Sequence, residues 1–471
     1  VQVAGETEIR RALAETRIEV VNRAEFVAPH AEAQRFKLAL RQIEHARFNG
    51  RYRRPSHQGL GERQGVGKRA GIHVGTMLRP SLAGVKVGRN AMSEVAPVQE
   101  ASRIKSLDVM RGFALLGILA VNAAYFAAPW QTGIDPTVAP LAVDGSTLWT
   151  WLVMHVFFEF KCITLFSLLF GASIYLVGGE RSDKARGAVL RRRLFWLLIF
   201  GLIHALLIWY GDILVTYALT GFLVLFARSW KPATLMIVGV LLYLLSLLLQ
   251  HALGLFYDVI PPDQQALLRE QLAAIFAVPP EEFARMREAY QGGFVSGLQE
   301  NVSTWLSIIG NTLFGLVIRT AGVMMIGMAL FKWGFLSGNA PTWLYGVMLV
   351  LGAAALALVG YQAWFNWEAR FDLMHLMTRG SLANGAVSIF VSIGYASLFV
   401  LLVKAGARVL TEPLAAVGRM AFSNYIAQSL IMTSIFYGGR GLGLWGEVDR
   451  AQLWGIVAGV WALQLIWSPL W

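Results

Sequence analysis

Cysteine is all but absent: Cys162 is the sole one in 471 residues, so the chain forms no internal disulfide and has no thiolate set for a structural zinc site. Charge is scarce too, at 15% of residues against 56% hydrophobic ones and a mean hydropathy of +0.53, which excludes an ordinary soluble globule. Period-two alternation is missing, and most apolar runs exceed the length of a barrel strand, so a β-barrel is excluded as well. What is present is a succession of apolar runs, at about 107–128, 149–178, 191–209, 212–228, 231–256, 304–331, 341–364, 380–404, 413–436 and 451–471. Each approaches the ~20 residues that a helix needs to cross a bilayer. The expected fold is all-α: a polytopic integral membrane protein with about ten transmembrane helices, the first five within 103–256 and the rest within 304–471.

Basic residues in the short loops set the orientation. Arg181, Lys184, Arg186 and Arg191 to Arg193 lie between the second and third runs, which the positive-inside rule places in the cytoplasm. Arg228 and Lys231, Lys332, and Lys404 and Arg408 then fall on the same side, and both chain ends are expected there. The 257–303 segment, with seven acidic and three basic residues, falls outside. Within it, PPDQQALLREQLAAIF and PPEEFARMREAYQGGF each open at proline and carry apolar residues at helical spacing, so an external helical pair is predicted.

Residues 1–102 obey other rules. Positions 1–91 hold 17 Lys+Arg against 8 Glu and no Asp, a balance of +9 out of the chain's +12. Such a tail suits anionic lipid or nucleic acid, yet its scattered Arg and Gly and the lack of a secretory apolar core favour a plainer reading. It is a basic extension, disordered or, for 1–91, upstream sequence read through from a start ahead of Met92; no nucleic-acid partner is expected. GERQGVGKR at 61–69 is not a phosphate loop, since five residues separate Gly61 from Gly67 and Arg69 replaces the Ser/Thr. GGRGLGLWG at 438–446 follows no strand and reads as an outside turn. Neither a metal nor a bound cofactor is expected.

Polar groups inside the apolar runs carry the functional signal, because an ionisable or amide side chain in hydrocarbon is costly unless it serves a site or a partner. In RIKSLDVMRGFALLGILAVN, Ser106 is placed to cap the first helix, with Asp108 in its first turn and Arg111 at i+3. Arg111 and Asn122 share a face, roughly 16 Å apart along the axis, so one stripe serves an inner and an outer site. His155 and Glu159 share a face of the second run at i,i+4, while Lys161 points nearly the opposite way, so the three are not expected to meet. His204 and Asp212 straddle the outer boundary, joined by a tight Gly211-Asp212 turn. His204 is the best candidate for proton transfer, since histidine titrates near neutral pH without help; a buried structural histidine is the plain alternative. Arg319 lies midway along the sixth run and needs a counter-charge, for which Glu159 and Asp212 are candidates. In GRMAFSNYIAQSLI, Arg419 and Ser423 share one face and Asn424 and Gln428 a neighbouring one, as interhelical glue or as a ligand surface. Gly455 and Gly459 form a GxxxG pair that favours close helix contact.

The runs LDVMRGFALLGILAVN, FKCITLFSLLFGAS, HALLIWYGDILVTYALTG, GVMMIGMALFKWGFL and GRMAFSNYIAQSLI resemble, in that order, the bacterial YeiB-like membrane proteins, domain of unknown function 418. The resemblance spans about 103–471 and implies a multi-pass protein of the bacterial inner membrane. It also implies a short tail beyond Pro469-Leu470-Trp471 with a Gly-Pro-x-Glu-Trp-Leu-Trp-Arg type motif, so the chain is read as clipped. The opening LDxxRG looks, more loosely, like the first span of transmembrane acyltransferases, which move acyl groups from cytosolic donors to acceptors across the bilayer. In the O-acyltransferases with that opening a histidine stands fourteen residues after the Asp, where this chain has Asn122.

Two functional readings follow. In the first, the basic loop 181–193 with Arg111 holds the phosphates of an acyl-CoA donor, and His204, Asp212, Glu159 and Lys161 bind and deprotonate a small-molecule or glycan acceptor. Asp108, Asn122, Arg319, Arg419, Asn424 and Gln428 complete the binding set. In the second, the same groups line a route for a solute or lipid and no covalent bond is made. The missing internal repeat tilts the balance towards the enzyme.

Overall fold

The computed structural model describes residues 104–470, so the expectations for 1–102 fall outside the described residues. Within them all regular structure is helical. Seven stretches are long and apolar enough to cross a bilayer. They comprise α1 (Lys105–Ala127), α2 and α3 (Leu148–Val153 and Lys161–Gly178, joined through a π turn), and α6 (Pro232–Phe256) with the turn after it. The others are the second part of α9 (Phe294–Lys332), α10 (Thr342–Glu368), α12 (Leu382–Lys404) and α15 (Arg450–Leu470). The remaining three apolar runs are also helical. One is α4 (Lys184–Ile203), whose first turns are arginine-rich, and another is the short α5 (Leu214–Val224). The third, read as one span at 413–436, divides at Met420 into α13 (Arg408–Arg419) and α14 (Ala421–Phe436).

The predicted helical pair is present as α7 (Pro262–Phe276) and α8 (Pro280–Gln291), each with proline in its first turn. The sixth run starts earlier than its hydropathy indicates, because α9 begins at Phe294 and its polar first third extends past the apolar stretch. Arg285 of α8 bridges Glu282 and Glu300, at 2.7 and 2.8 Å, and so ties α8 to that extension. Its hydrogen bonds to the two carboxylates, that to Glu282 first, hold the guanidinium above the ordinary pKa.

Contacts define two ends of the bundle. At the basic end Lys105 lies 3.6 Å from Glu412, the Ser106 hydroxyl donates to the Leu336 carbonyl (3.2 Å), and Lys332 donates to the carbonyls of Arg228 and Trp230. Ser106 is therefore no cap; it lies within α1 and bonds another segment. At the far end Gly446 donates to the Ala127 carbonyl and Gln291 to that of Trp445. A core of Phe126, Trp209, Tyr290, Tyr437 and Trp445 closes that end, with Phe126 stacked on Trp209 at 3.8 Å.

The four most extensive helix contacts share one device, a glycine on each partner. Gly112 meets Gly418 (α1–α13), Gly239 meets Gly322 (α6–α9) and Gly352 meets Gly394 (α10–α12), while between α3 and α9 Gly171 lies against the Met324 backbone and Gly327 against that of Leu168. Small residues let backbones approach where lipid supplies no hydrophobic drive, so van der Waals contact holds the helices together. A Cβ on Gly418 would lie 1.9 Å from the Asp108 carbonyl oxygen, whereas nothing lies within 4 Å of one on Gly455 or Gly459. The predicted GxxxG pair thus makes no close contact among the described residues. Gly418→Ala is expected to cost about 1–3 kcal/mol through forced separation of α1 and α13, and Gly455→Ala to be neutral, as read from melting in detergent. Equal melting temperatures for the two variants would contradict this account.

Candidate intramembrane site

Three π turns interrupt helices of the bundle, a form that often marks functional positions. Each turn carries or adjoins a histidine: Met154–Phe158 with His155, His204–Ile208 with His204, and Leu376–Gly380 just after His375, the last residue of the short α11 (Leu373–His375). After the second turn the chain extends through Trp209 and folds back at Gly211-Asp212 into α5. One Asp212 oxygen accepts from the Val215 backbone N–H (2.8 Å), which satisfies a donor at the start of α5. The other lies 2.9 Å from Nδ1 of His204, and Nε2 of His204 lies 2.8 Å from the Ser429 hydroxyl. The His204 and Asp212 side chains are fully buried. With a neutral imidazole, Nδ1–H donates to the carboxylate and Nε2 accepts from Ser429, an aspartate–histidine–serine line. Ser429 carries no signal of this role in the sequence. A helical serine usually bonds the carbonyl four residues back, as Ser429 also does to Tyr425 at 3.4 Å, so nothing local distinguishes it.

The first π turn breaks the second apolar run. Phe160 adopts a left-handed conformation (φ 61°) between α2 and α3, and the helix restarts at Lys161. A straight helix keeps Lys161 away from His155 and Glu159; the break returns it to them. The fully buried Lys161 ammonium donates to the His155 carbonyl (2.6 Å) and to Asn384 Oδ1 (2.5 Å). Asn384 in turn donates to Glu159 Oε2 (3.1 Å), which His155 Nδ1 also contacts at 2.5 Å. Arg319 does not take Glu159 or Asp212 as its counter-charge. It donates to Ser388 (3.0 Å) and Gln250 (3.5 Å), with its guanidinium 4.8 Å from the Phe160 ring centre and 5.5 Å from that of Tyr243. Aromatic faces and neutral acceptors stabilise it in place of a carboxylate.

A cavity of about 330 Å³ lies between α1, the α2–α3 break, the α4–α5 turn and α9. Asn122, Tyr125, Glu159, Trp209, Asp212 and Trp305 contribute to its wall. The volume and the few convergent polar groups in an apolar lining are those of a small-molecule site. The indole N–H groups of Trp209 and Trp305 are buried with no partner among the described residues. Lys161 and His204 stand behind this wall, each bonded to groups of the second layer.

A second cavity, of about 630 Å³, opens at the basic end, lined by Lys105, Asp108, Arg408, Glu412, Arg419 and Pro469. Arg111 binds Asp108 at 2.8 Å, the predicted i,i+3 pair. Arg419 is exposed, and the break at Met420 places it on a different helix from Ser423. Asn424 and Gln428 face α15: Asn424 Nδ2 donates to Ser468 (3.0 Å), its Oδ1 accepts from Trp467 (2.8 Å), and Gln428 donates to Gln464 (2.8 Å).

Apolar helices enclosing hydrogen-bonded ionisable groups define the class, a multi-pass helical membrane protein with a polar interior. The profile described as "Protein of unknown function (DUF418)" matches residues 330–471. The chain is 33% identical to "Uncharacterized protein YeiB" of Escherichia coli (strain K12) over 387 residues, 78% of this chain and 91% of YeiB. It is 31% identical to "Uncharacterized protein YxaH" of Bacillus subtilis (strain 168) over 408 residues, 81% of this chain and 92% of YxaH. A protein of Bacillus acidopullulyticus, the "Uncharacterized 39.9 kDa protein in amylase 3'region", is 28% identical over 379 residues, 80% of this chain and 90% of that one. No solved structure matches. The chain belongs to the YeiB-like DUF418 family.

Proposed function

We propose that this protein is a transmembrane acyltransferase of the bacterial inner membrane, crossing it ten times with the basic end and both chain ends in the cytoplasm. The donor is an acyl-CoA whose phosphates bind at the basic end; the acceptor, a small molecule or glycan, binds in the far-end cavity. The observation that carries this reading is the pair of cavities at opposite ends of α1. Three cations, Lys105, Arg408 and Arg419, face two carboxylates at one end, and Asp212, Glu159 and Asn122 line the other. Asp108 and Asn122 are about 21 Å apart along the helix, so the acyl arm of the donor must reach inward to meet the acceptor. In the reaction the acceptor O–H or N–H bond breaks as the acyl bond forms, and its proton passes to the His204–Asp212 pair. The thioester C–S bond breaks, and CoA leaves as the thiol with a proton.

A second reading, passage of a solute or lipid without covalent chemistry, draws on the broken α2–α3 helix, since irregular backbone at membrane depth belongs where it lines a cavity. Calorimetry with acetyl-CoA and a longer acyl-CoA separates the two. Saturable binding that falls at least tenfold in Arg408→Ala/Arg419→Ala is expected. Wild-type protein that binds neither donor would overturn the acyl-CoA reading and leave passage as the stronger one.

A further inference from the structure

On the outer face of the bundle, near the basic end, α3, α4 and the start of α14 leave a third cavity, of about 440 Å³, whose Arg192 and Arg193 belong to the 181–193 loop that the sequence alone assigned to donor phosphates. Its walls are aliphatic and aromatic, with Phe170, Val177, Trp196, Phe200 and Phe422 among them. Trp196 and Phe200 are 52% and 45% exposed, so the groove opens to the surroundings of the bundle and not to its interior. From Arg192 to Phe200 it follows α4 for about 12 Å. At its rim stand Arg192 and Arg193, both exposed and, among the described residues, without a hydrogen-bond or ion-pair partner.

The surroundings do not supply the missing negative charge. Residues 180–193 hold six basic and two acidic side chains. Both acids are engaged elsewhere, Glu180 with Tyr175 and Lys332 and Asp183 with the backbone and guanidinium of Arg186. A soluble anion would neutralise the two arginines and leave the groove unfilled, whereas a neutral lipid would fill the groove and leave both charges unanswered. We propose that the groove is a binding site for an anionic phospholipid, its phosphate held by Arg192 and Arg193 and an acyl chain lying along α4 against Trp196 and Phe200. Paired guanidiniums suit phosphate oxygens, and basic pockets between helices at this depth suit anionic head groups.

The test uses the full chain in detergent, titrated with dioleoyl phosphatidylglycerol, dioleoyl phosphatidylcholine or inorganic phosphate, with bound lipid counted by native mass spectrometry. Wild-type protein is expected to prefer the phosphatidylglycerol at least tenfold. R192A/R193A is expected to bind it roughly 30-fold more weakly, about fivefold per arginine, with phosphatidylcholine binding unchanged. R181A/K184A, which removes the same charge from the same loop outside the groove, is expected to retain the preference. Equal binding of the two lipids by wild type, or equal weakening in the two double variants, would overturn the proposal. So would inorganic phosphate competing with the lipid at matched concentration. Circular dichroism of both variants checks that each remains folded.

Discussion

Lys161→Ala is expected to be the most destabilising single substitution among the intramembrane charges, at about 3–5 kcal/mol, the range for removing one charge from a buried network, here Lys161 and Glu159 linked through Asn384. The fully buried ammonium answers a carbonyl, an amide and, through the amide, a carboxylate on the wall of the far-end cavity. It donates to the His155 carbonyl and to Asn384, and through Asn384 it supports Glu159 Oε2. Its loss leaves the Glu159 carboxylate with a histidine and an amide as its close partners, and it frees a carbonyl in a π turn that already lacks regular helical bonding. Melting in detergent is expected to fall by several degrees, given roughly 2 °C per kcal/mol in a chain of this size. The double variant Lys161→Met/Glu159→Gln removes both charges together and is expected to recover most of that loss. A Lys161→Ala protein that melts with the wild type would show that the ammonium does not hold the α2–α3 break together.

How much of this was legible in the sequence follows from what each feature depends on. The apolar runs, the proline-led helices α7 and α8 and the Asp108–Arg111 pair depend on residues within a few turns of one another, and each is found where the pattern indicated. The breaks were not legible. Nothing in MHVFFEFK distinguishes a π turn and a left-handed Phe160 from continuous helix, so Lys161 was directed away from the partners it meets. The length of α9 was hidden because hydropathy reports the apolar stretch and not the polar turns before it. The glycine crossings and the partners of Arg319 are tertiary choices: with 47 glycines in the chain, none of those at the four crossings stands out in sequence. The candidate site is intermediate. Its His204–Asp212 half follows from a tight turn, while Ser429 comes from a helix more than two hundred residues away.

Under the proposed acyltransferase reading, His204→Gln is expected to lower acyl transfer by about two to four orders of magnitude, the usual contribution of a positioned acid–base group. Glutamine retains a donor for Asp212 and an acceptor for Ser429, so the line can persist as structure while losing the imidazole that would accept the proton. Asp212→Asn is expected to follow it in rate, because an amide neither orients the imidazole as a carboxylate does nor stabilises an imidazolium. Ser429→Ala keeps both members of the pair and is expected to have the smallest effect of the three. Acetyl-CoA binding at the basic end is expected to be unchanged in all three, since that cavity shares no lining residue with the far-end one. Rates measured across pH then separate chemistry from packing. If the pair accepts the proton, the acid limb of the profile disappears in His204→Gln while the melting temperature stays near wild type. A variant that transfers the acyl group at the wild-type rate, with the acid limb intact, would reduce the aspartate–histidine–serine line to a packing element that ties the α4–α5 turn to α14.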